Sequence, residues 1–492
     1  MSRLTSTPAA AGVLTVAAVL VIAAVLMRSA VLSAAPARSA LSADVTPAPQ
    51  PETLWSTPAA LNACPAAPAA RVVFPSDSPS QATGAGAIVW SASASCPGGA
   101  GARVAAIGAG DLPGAPSIPR TAAGQPLVPH GALLASGAPH GQIVIAGSSP
   151  QAASDGLLIQ GAAGGPFAAL QPSEGSSAPM ALATGYLGDV ALAAPPAGDG
   201  SGRRDSPAGP HTDALNVHVE RFFAHAFVRN LTADTAGTGP LQALTLALDY
   251  RSEVLAVWAQ EDAIYARVVP NRGDPRPLQR LASVGPRPEI TAVISDDQRA
   301  IVAWSEQLGS ETAVYIDRSA AGVRFGAPEL LERFRDPDGL PSPAASPRLV
   351  RLSSESVMLA WAGSAQGHWV VRTAPVTLRG VGSVATIAAP GTDALLADLV
   401  AGPDADALVL WTEPLPTAAG PPDMERQALF AARGFDGYHE HTIFGEPELL
   451  APPAPVSDAT AALDPASDRA VAVWQGEAAT IEYSIRTGGT GP

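Results

Sequence analysis

From residue 240 onward the chain repeats one pattern: an alternating apolar segment, a polar turn, and a short apolar run that ends in Trp. It reads LTLALDYRSEVLAVW to Trp258, ITAVISDDQRAIVAW to Trp304, LVRLSSESVMLAW to Trp361, LADLVAGPDADALVLW to Trp411 and ATAALDPASDRAVAVW to Trp474. Successive Trp residues are 46, 57, 50 and 63 positions apart. Each unit offers two β-rich runs joined by an Asp- or Ser-bearing turn, the chemistry of a hairpin. The unbroken apolar runs at 300–304 and 470–474 predict a strand buried on both faces, sandwiched between neighbouring sheets. A Trp closing that strand in five successive units predicts a structural wedge between neighbours rather than a ligand-stacking residue. The segments 263–269 (AIYARVV) and 312–318 (TAVYIDR) mix polar and apolar positions, which predicts outer strands with one wetter face.

Weaker copies occupy the first half. Residues 71–74 with 87–90, 132–135 with 143–146, and 181–183 with 190–193 each make one unit, the last two without Trp. Self-similarity near 50 residues points to a propeller or another repeat array. The expectation is an all-β chain, a β-propeller of seven or eight four-stranded blades over residues 52–492. The segment 54–56 is expected to supply the outermost strand of the last blade, closing the ring and removing exposed sheet edges. With its turn, apolar run and Trp, the chain resembles the degenerate β-propeller repeats of exported bacterial proteins. The likeness spans about residues 52–490 and is clearest over 240–490. It selects no single family: the sialidase-type Asp box is absent, and no Trp is followed by Asp as a WD40 repeat requires.

Residues 9–27 (AAAGVLTVAAVLVIAAVLM) form an uncharged apolar stretch flanked by Arg3 and Arg28. At about 1.5 Å per residue it nearly matches a hydrocarbon layer of about 30 Å. Residues 1–28 therefore read as a transmembrane signal anchor or as a signal peptide cleaved near Ser33, and both place the remainder outside the cytoplasm. Residues 29–51, small and Pro-bearing, read as a linker. In an exported chain the two cysteines, Cys64 and Cys96, are most simply a disulfide. In the chain-entropy model such a loop contributes about 3–4 kcal/mol.

Composition narrows the partners. With 47 Gly and 49 Pro in 492 residues, turns are many and elements short. No Lys occurs, and 29 basic residues face 44 acidic ones for a net charge of -15. A nucleic-acid partner is disfavoured, because that binding needs a basic footprint.

Candidate chemistry is sparse. Several units place an acid or amide just beyond the Trp: Gln260 and Glu261, Glu306, Glu413 and Glu477. In a propeller these fall at the joints of second and third strands, on one end of the ring. A ring of carboxylates there suits cations or sugar hydroxyls, and equally a merely solvated rim. His439 and His441 stand two apart, which on a strand puts both imidazoles on one face as half of a metal site, with Asp436 nearby. A surface-exposed histidine pair is the better reading. No nucleophile elbow, zinc-protease helix motif, phosphate loop or dinucleotide fingerprint occurs, and no cofactor is implied. The expected role is a non-catalytic binding or scaffold module at the cell envelope. The expected chain is a monomer, anchored or secreted, and its partner is an envelope protein or a cell-wall glycan. The rival is a propeller glycoside hydrolase or lyase using two rim carboxylates, spaced about 5–5.5 Å for retention or about 6.5–9.5 Å for inversion.

Overall fold

The computed structural model describes residues 54–487 apart from 62–69, 77–82, 110–111, 150–155, 171–180, 186, 195–215, 221–226, 231–240, 286, 297–298, 321–323, 336–344, 354–355, 378, 389–390, 403–404, 416–422, 438–440 and 468. The expected N-terminal helix and the linker lie outside the described residues. No helix among the described residues is long and apolar enough to cross a membrane.

The described residues form eight small antiparallel sheets in chain order, the blades of an eight-bladed β-propeller, so the higher of the two expected counts is correct. Blade 4 shows the plan. Its strands Leu241–Leu248, Val254–Gln260, Ala263–Val269 and Gln279–Ser283 pair in sequence order from the channel outward. The innermost strand is mostly half-exposed, because one face lines the channel. The second strand is buried at every position, and its side chains alternate between two partners. Val254, Ala256 and Trp258 pack with Ala191, Ala193 and Val217 of blade 3, whereas Leu255, Val257 and Ala259 pack with Ala300, Val302 and Trp304 of blade 5.

That division recurs around the ring. The core consists of eight apolar clusters, each built from two successive blades, with the last joining blade 8 to blade 1. The period of two along an unbroken apolar strand thus sends alternate residues to the two neighbours. Trp90, Trp258, Trp304, Trp361, Trp411 and Trp474 all lie on the face toward the preceding blade and are essentially inaccessible, as the wedge reading expects. Three stack on an aromatic residue of the adjacent third strand, with centroids 5.6–5.8 Å apart: Trp258 on Tyr265, Trp304 on Tyr315 and Trp411 on Phe430. In blade 2 the equivalent position is Gly147. A Cβ there would stand 2.8 Å from the His130 carbonyl and 2.9 Å from Leu133, so the bulged first strand fills the space a wedge would need.

The ring closes as the sequence predicts, slightly shifted. Ala59–Leu61 pairs with Ile481, Glu482 and Tyr483 as the outer strand of blade 8, and Trp55 bridges to Arg486. Trp55 itself is buried among residues of blades 7 and 8.

Two expectations are corrected. Blades are not uniformly four-stranded. Among the described residues blade 1 has three strands, and its edge is covered by a segment carrying Pro113, Pro116 and Pro119, which meets Gly101–Ile107 through isolated bridges at Val104–Ser117 and Ile107–Pro113. Proline lacks the N–H that a continued ladder requires. In blade 5 the outer strand breaks into Arg324–Phe325 and Glu329–Arg335 at Gly326-Ala-Pro328, and in blade 7 into His441–Phe444 and Glu448–Ala454 at Gly445-Glu-Pro447. The third strands, secondly, have no wet face. Along Ala263–Val269 only Tyr265 is partly exposed, since neighbouring blades still flank that radius. Some of their buried polar atoms bond internally: Arg267 Nε donates to the Arg276 carbonyl at 2.9 Å, and Asp317 Oδ1 accepts from the backbone N–H of Arg318 and Gly326. The wetter face begins with the fourth strand.

Cys96 is buried and is not a free thiol. Cys64, its expected partner, lies outside the described residues.

If the wedges join the blades, Trp304→Ala is expected to destabilise the propeller by about 3–5 kcal/mol, with Trp304→Phe costing less. Guanidinium unfolding followed by fluorescence measures both.

Candidate binding site at the channel mouth

Where the turn is described, an inner strand ends in a short connection that carries its polar residues to one end of the channel, as in blades 2, 4 and 8. The turn of blade 4 is held by Asp249, whose Oδ1 accepts the backbone N–H groups of Arg251 at 2.9 Å and Glu253 at 2.8 Å. The same device recurs in blade 8, where Asp464 Oδ1 accepts from Ala466 at 2.9 Å. Such turns satisfy backbone donors that have no ladder partner, which is why Asp recurs before several of the apolar runs and Ser takes its place before the run at 357–361.

The carboxylates of these turns differ in how they are compensated. Asp464 faces Arg469 Nη2 at 3.1 Å, and the fully buried Asp406 of blade 7 is paired with Arg433. Asp296 of blade 5 receives Arg351 of blade 6 through two bonds of 2.7 and 3.0 Å, an ion pair that ties the blades together. Asp249 has no such cation. It is 2% exposed, and its Oδ2 has no hydrogen-bond partner. Arg251 turns away instead, donating to Tyr250 Oη at 2.7 Å with its guanidinium 5.1 Å from that ring's centroid. Burial, followed by the negative charge of Glu253, pushes the Asp249 carboxyl up to about 6, against the lowering effect of the two backbone N–H groups.

These turns frame two adjoining cavities. The larger, about 710 Å³, is lined by seven blades through residues such as Phe74, Ser136, Thr184, Asp296, Arg351, Gly402 and Leu463. The smaller, about 240 Å³, adds blade 4 through Ala247, Leu248, Asp249 and Tyr250, and shares Ser76, Thr184, Asp296 and Arg351 with the larger. Together they make a funnel to which every blade contributes. Its hydroxyls are fixed: Thr184 Oγ1 donates to the Gly137 carbonyl at 2.6 Å and lies 2.8 Å from Ser136 Oγ. Ser252 Oγ donates to Asp189 Oδ2, joining blades 4 and 3.

None of the acids singled out in the sequence lines either cavity. They follow the second strands, and in an antiparallel meander that end is opposite to the turns joining first and second strands. Glu261 sits at a tight turn with φ of 55°. Glu306 lies partly exposed near the end of Ala300–Leu308. Glu413 accepts from Trp411 Nε1 at 2.9 Å, and burial raises its pKa. Glu477 is exposed and opens a short 3-10 turn. The acid near a wedge has a structural use, because Glu332 and Glu482 accept the indole N–H of Trp361 and Trp474 in the same way, at 2.6 and 2.9 Å. His441 opens the strand His441–Phe444, while His439 lies outside the described residues. Among the described residues no group of three or more His, Cys, Asp or Glu is placed to hold a metal ion.

Because the folded chain holds a proton on Asp249 more tightly than an unfolded carboxyl does, folding takes up a proton between the ordinary carboxylate range and about pH 6. That contribution to stability is present at low pH and lost as pH rises through 6. Asp249→Asn keeps the oxygen that holds the turn. It is therefore expected to stabilise the chain by about 1–3 kcal/mol at pH 7.5 and by almost nothing at pH 4, read from melting temperatures at both pH values.

No protein-family model matches the chain, and no curated protein does. Among solved structures it is similar to a streptogramin B lyase at 12% identity, over 70% of this chain and 90% of that one, with a TM-score of 0.35. It is similar to a puromycin hydrolase at 14% identity, over 68% of this chain, with a TM-score of 0.40, and there it spans about half of the other chain, 49%. Trypanosoma rangeli sialidase in complex with sialic acid matches at 9% identity, over 75% of this chain and 56% of that one, with a TM-score of 0.33. At such TM-scores the likenesses carry no argument, and the propeller rests on strand order and register.

Proposed function

We propose that the chain is an exported or membrane-tethered propeller acting as a non-catalytic binding module at the cell envelope, with the funnel at the turn end as its ligand seat. The observation that carries this reading is the funnel itself, to which all eight blades contribute. Its charged side chains are largely engaged in holding the fold: Asp296 with Arg351, and Asp249 through its Oδ1 to the turn. A concave site with a few fixed polar groups in apolar walls suits recognition. Export rests on the apolar segment at 9–27, and the partner is an envelope protein, with wall glycan as the other ligand of the same seat.

A second reading, a glycoside hydrolase or lyase, has one observation in its favour. Asp249 and Asp296 line the same small cavity; burial favours the protonated form of the first, and a guanidinium accompanies the second. Environments that separate two carboxyls in this way are how glycosidases assign acid and base.

The full-length chain, immobilised and exposed to envelope extract, is expected to retain a partner. Arg351→Ala combined with Asp296→Ala should reduce retention about tenfold, the loss typical of an anchoring contact, whereas Glu306→Gln and Glu477→Gln should not. Retention lost only in the rim variants overturns the choice of seat. Cleavage of a wall or acidic polysaccharide by the wild-type chain, abolished by Asp249→Asn and by Asp296→Asn, replaces the binding reading with the enzymatic one.

A further inference from the structure

Acids in or beside the first-to-second turns of blades 4, 5, 7 and 8 can be compared, and the one in blade 4 departs from the other three. In blades 5, 7 and 8 the turn acid has a guanidinium partner: Arg351 for Asp296, Arg433 for Asp406 and Arg469 for Asp464. In blade 4 the arginine of the turn, Arg251, is directed outward onto Tyr250, and Asp249 Oδ2 is left without a donor while 98% of the residue is buried. An unpaired buried carboxylate oxygen costs free energy unless something arrives to pair it. Asp249 also lines the 240 Å³ cavity, which opens into the funnel and is large enough for the end of a side chain but small for a whole sugar chain.

We infer that this cavity receives a guanidinium or ammonium head from the ligand, an Arg or Lys side chain of a basic partner segment, which supplies Asp249 with the cation that Asp296, Asp406 and Asp464 find within the fold. The inference rests on the funnel being the ligand seat and adds the chemistry of what enters it. Charge around the pocket agrees. Within its lining Arg351 is already matched by Asp296, so an ionised Asp249 leaves one net negative charge. Of the other groups facing Asp249, Glu253 on its own turn adds negative charge. Asp189 on blade 3 holds Ser252, and the charge of Arg251, which is bonded to Tyr250, is the smallest of the influences on the Asp249 pKa. The chain as a whole carries a charge of -15, which draws basic partners toward it.

Cation binding requires the ionised carboxylate, so affinity should rise with pH. A group titrating near 6 is about one-tenth ionised at pH 5 and almost fully ionised at pH 7.5, giving about tenfold weaker binding at the lower pH.

The probes are arginine amide, lysine amide and citrulline amide, the last carrying a neutral urea in place of the guanidinium, titrated calorimetrically into the full-length chain at pH 7.5 and pH 5. Either cationic amide should bind at pH 7.5 and about tenfold more weakly at pH 5, and citrulline amide at least tenfold more weakly at both. Asp249→Asn, which is expected to fold, should abolish the preference for the cation, while Glu306→Gln at the other end should leave it intact. Equal binding of citrulline amide, pH-independent binding, no binding of either cation, or full binding by Asp249→Asn each overturns the inference. The two readings fail separately. Cation binding lost in Asp249→Asn with no envelope partner retained removes the envelope role alone, whereas a partner retained equally by wild type and Asp249→Asn removes the cation pocket alone.

Discussion

Everything in this molecule depends on the second strand of each blade being apolar on both faces. A sheet with two sticky faces cannot stand alone in water, because one face would remain exposed whatever its partner did. Two such sheets stacked still leave two faces open. Only a closed ring gives each face a neighbour, and the eight apolar clusters, one per junction, are the result. The Trp residues fill the junctions at the second strands of six blades, and the N-terminal strand beside Ile481–Arg486 joins the two ends of the chain within one blade. Closure is thus a condition for burial rather than an addition to it.

Closure also determines where function can reside. The interiors of the blades are committed to packing, and even the third strands bury polar atoms that bond locally, as Arg267 Nε and Asp317 Oδ1 do. What remains free to vary is the set of turns at the channel ends. At the first-to-second turns the local hydrogen bonds of Asp249 and Asp464 fix the backbone through one carboxylate oxygen. The second oxygen is free to be paired within the fold or offered to the channel.

The architecture was legible because its signal is local and repeated. An apolar run ending in Trp after an Asp or Ser turn is written five times, and the two-sided burial it implies needs no knowledge of distant contacts. The weak first-half copies were countable for the same reason, although the absence of Trp from blade 2 became intelligible only with Gly147 seen against His130 and Leu133. The breaks in the outer strands were also written, as Phe-Gly-x-Pro-Glu-Leu-Leu at 325–331 and again at 444–450, a signal that the reading of the repeats passed over. The site was less legible. Acids beyond the Trp recur, yet of these only Glu413 bonds its indole N–H, while Trp361 and Trp474 are served by Glu332 and Glu482 from other strands. The funnel is assembled from strand ends hundreds of residues apart, and the Asp296–Arg351 pair spans two blades, so neither appears as a spacing in the chain.

A repeat fold can leave one copy of a structural device incomplete without losing the whole. Asp249 still holds its turn through Oδ1, and Ser252 still ties that turn to Asp189 of the neighbouring blade, so the unpaired Oδ2 threatens neither hairpin nor ring. The cost falls on buried oxygens of one turn, Asp249 Oδ2 and Glu253 Oε2, and is tolerable in a ring supported at eight junctions. It also supplies a reason for specificity: a buried, uncompensated carboxylate discriminates against neutral groups more strongly than an exposed acid does, because desolvation has already occurred before the ligand arrives. The solvated glutamates at the opposite end have no such advantage, since water competes there for every contact they offer.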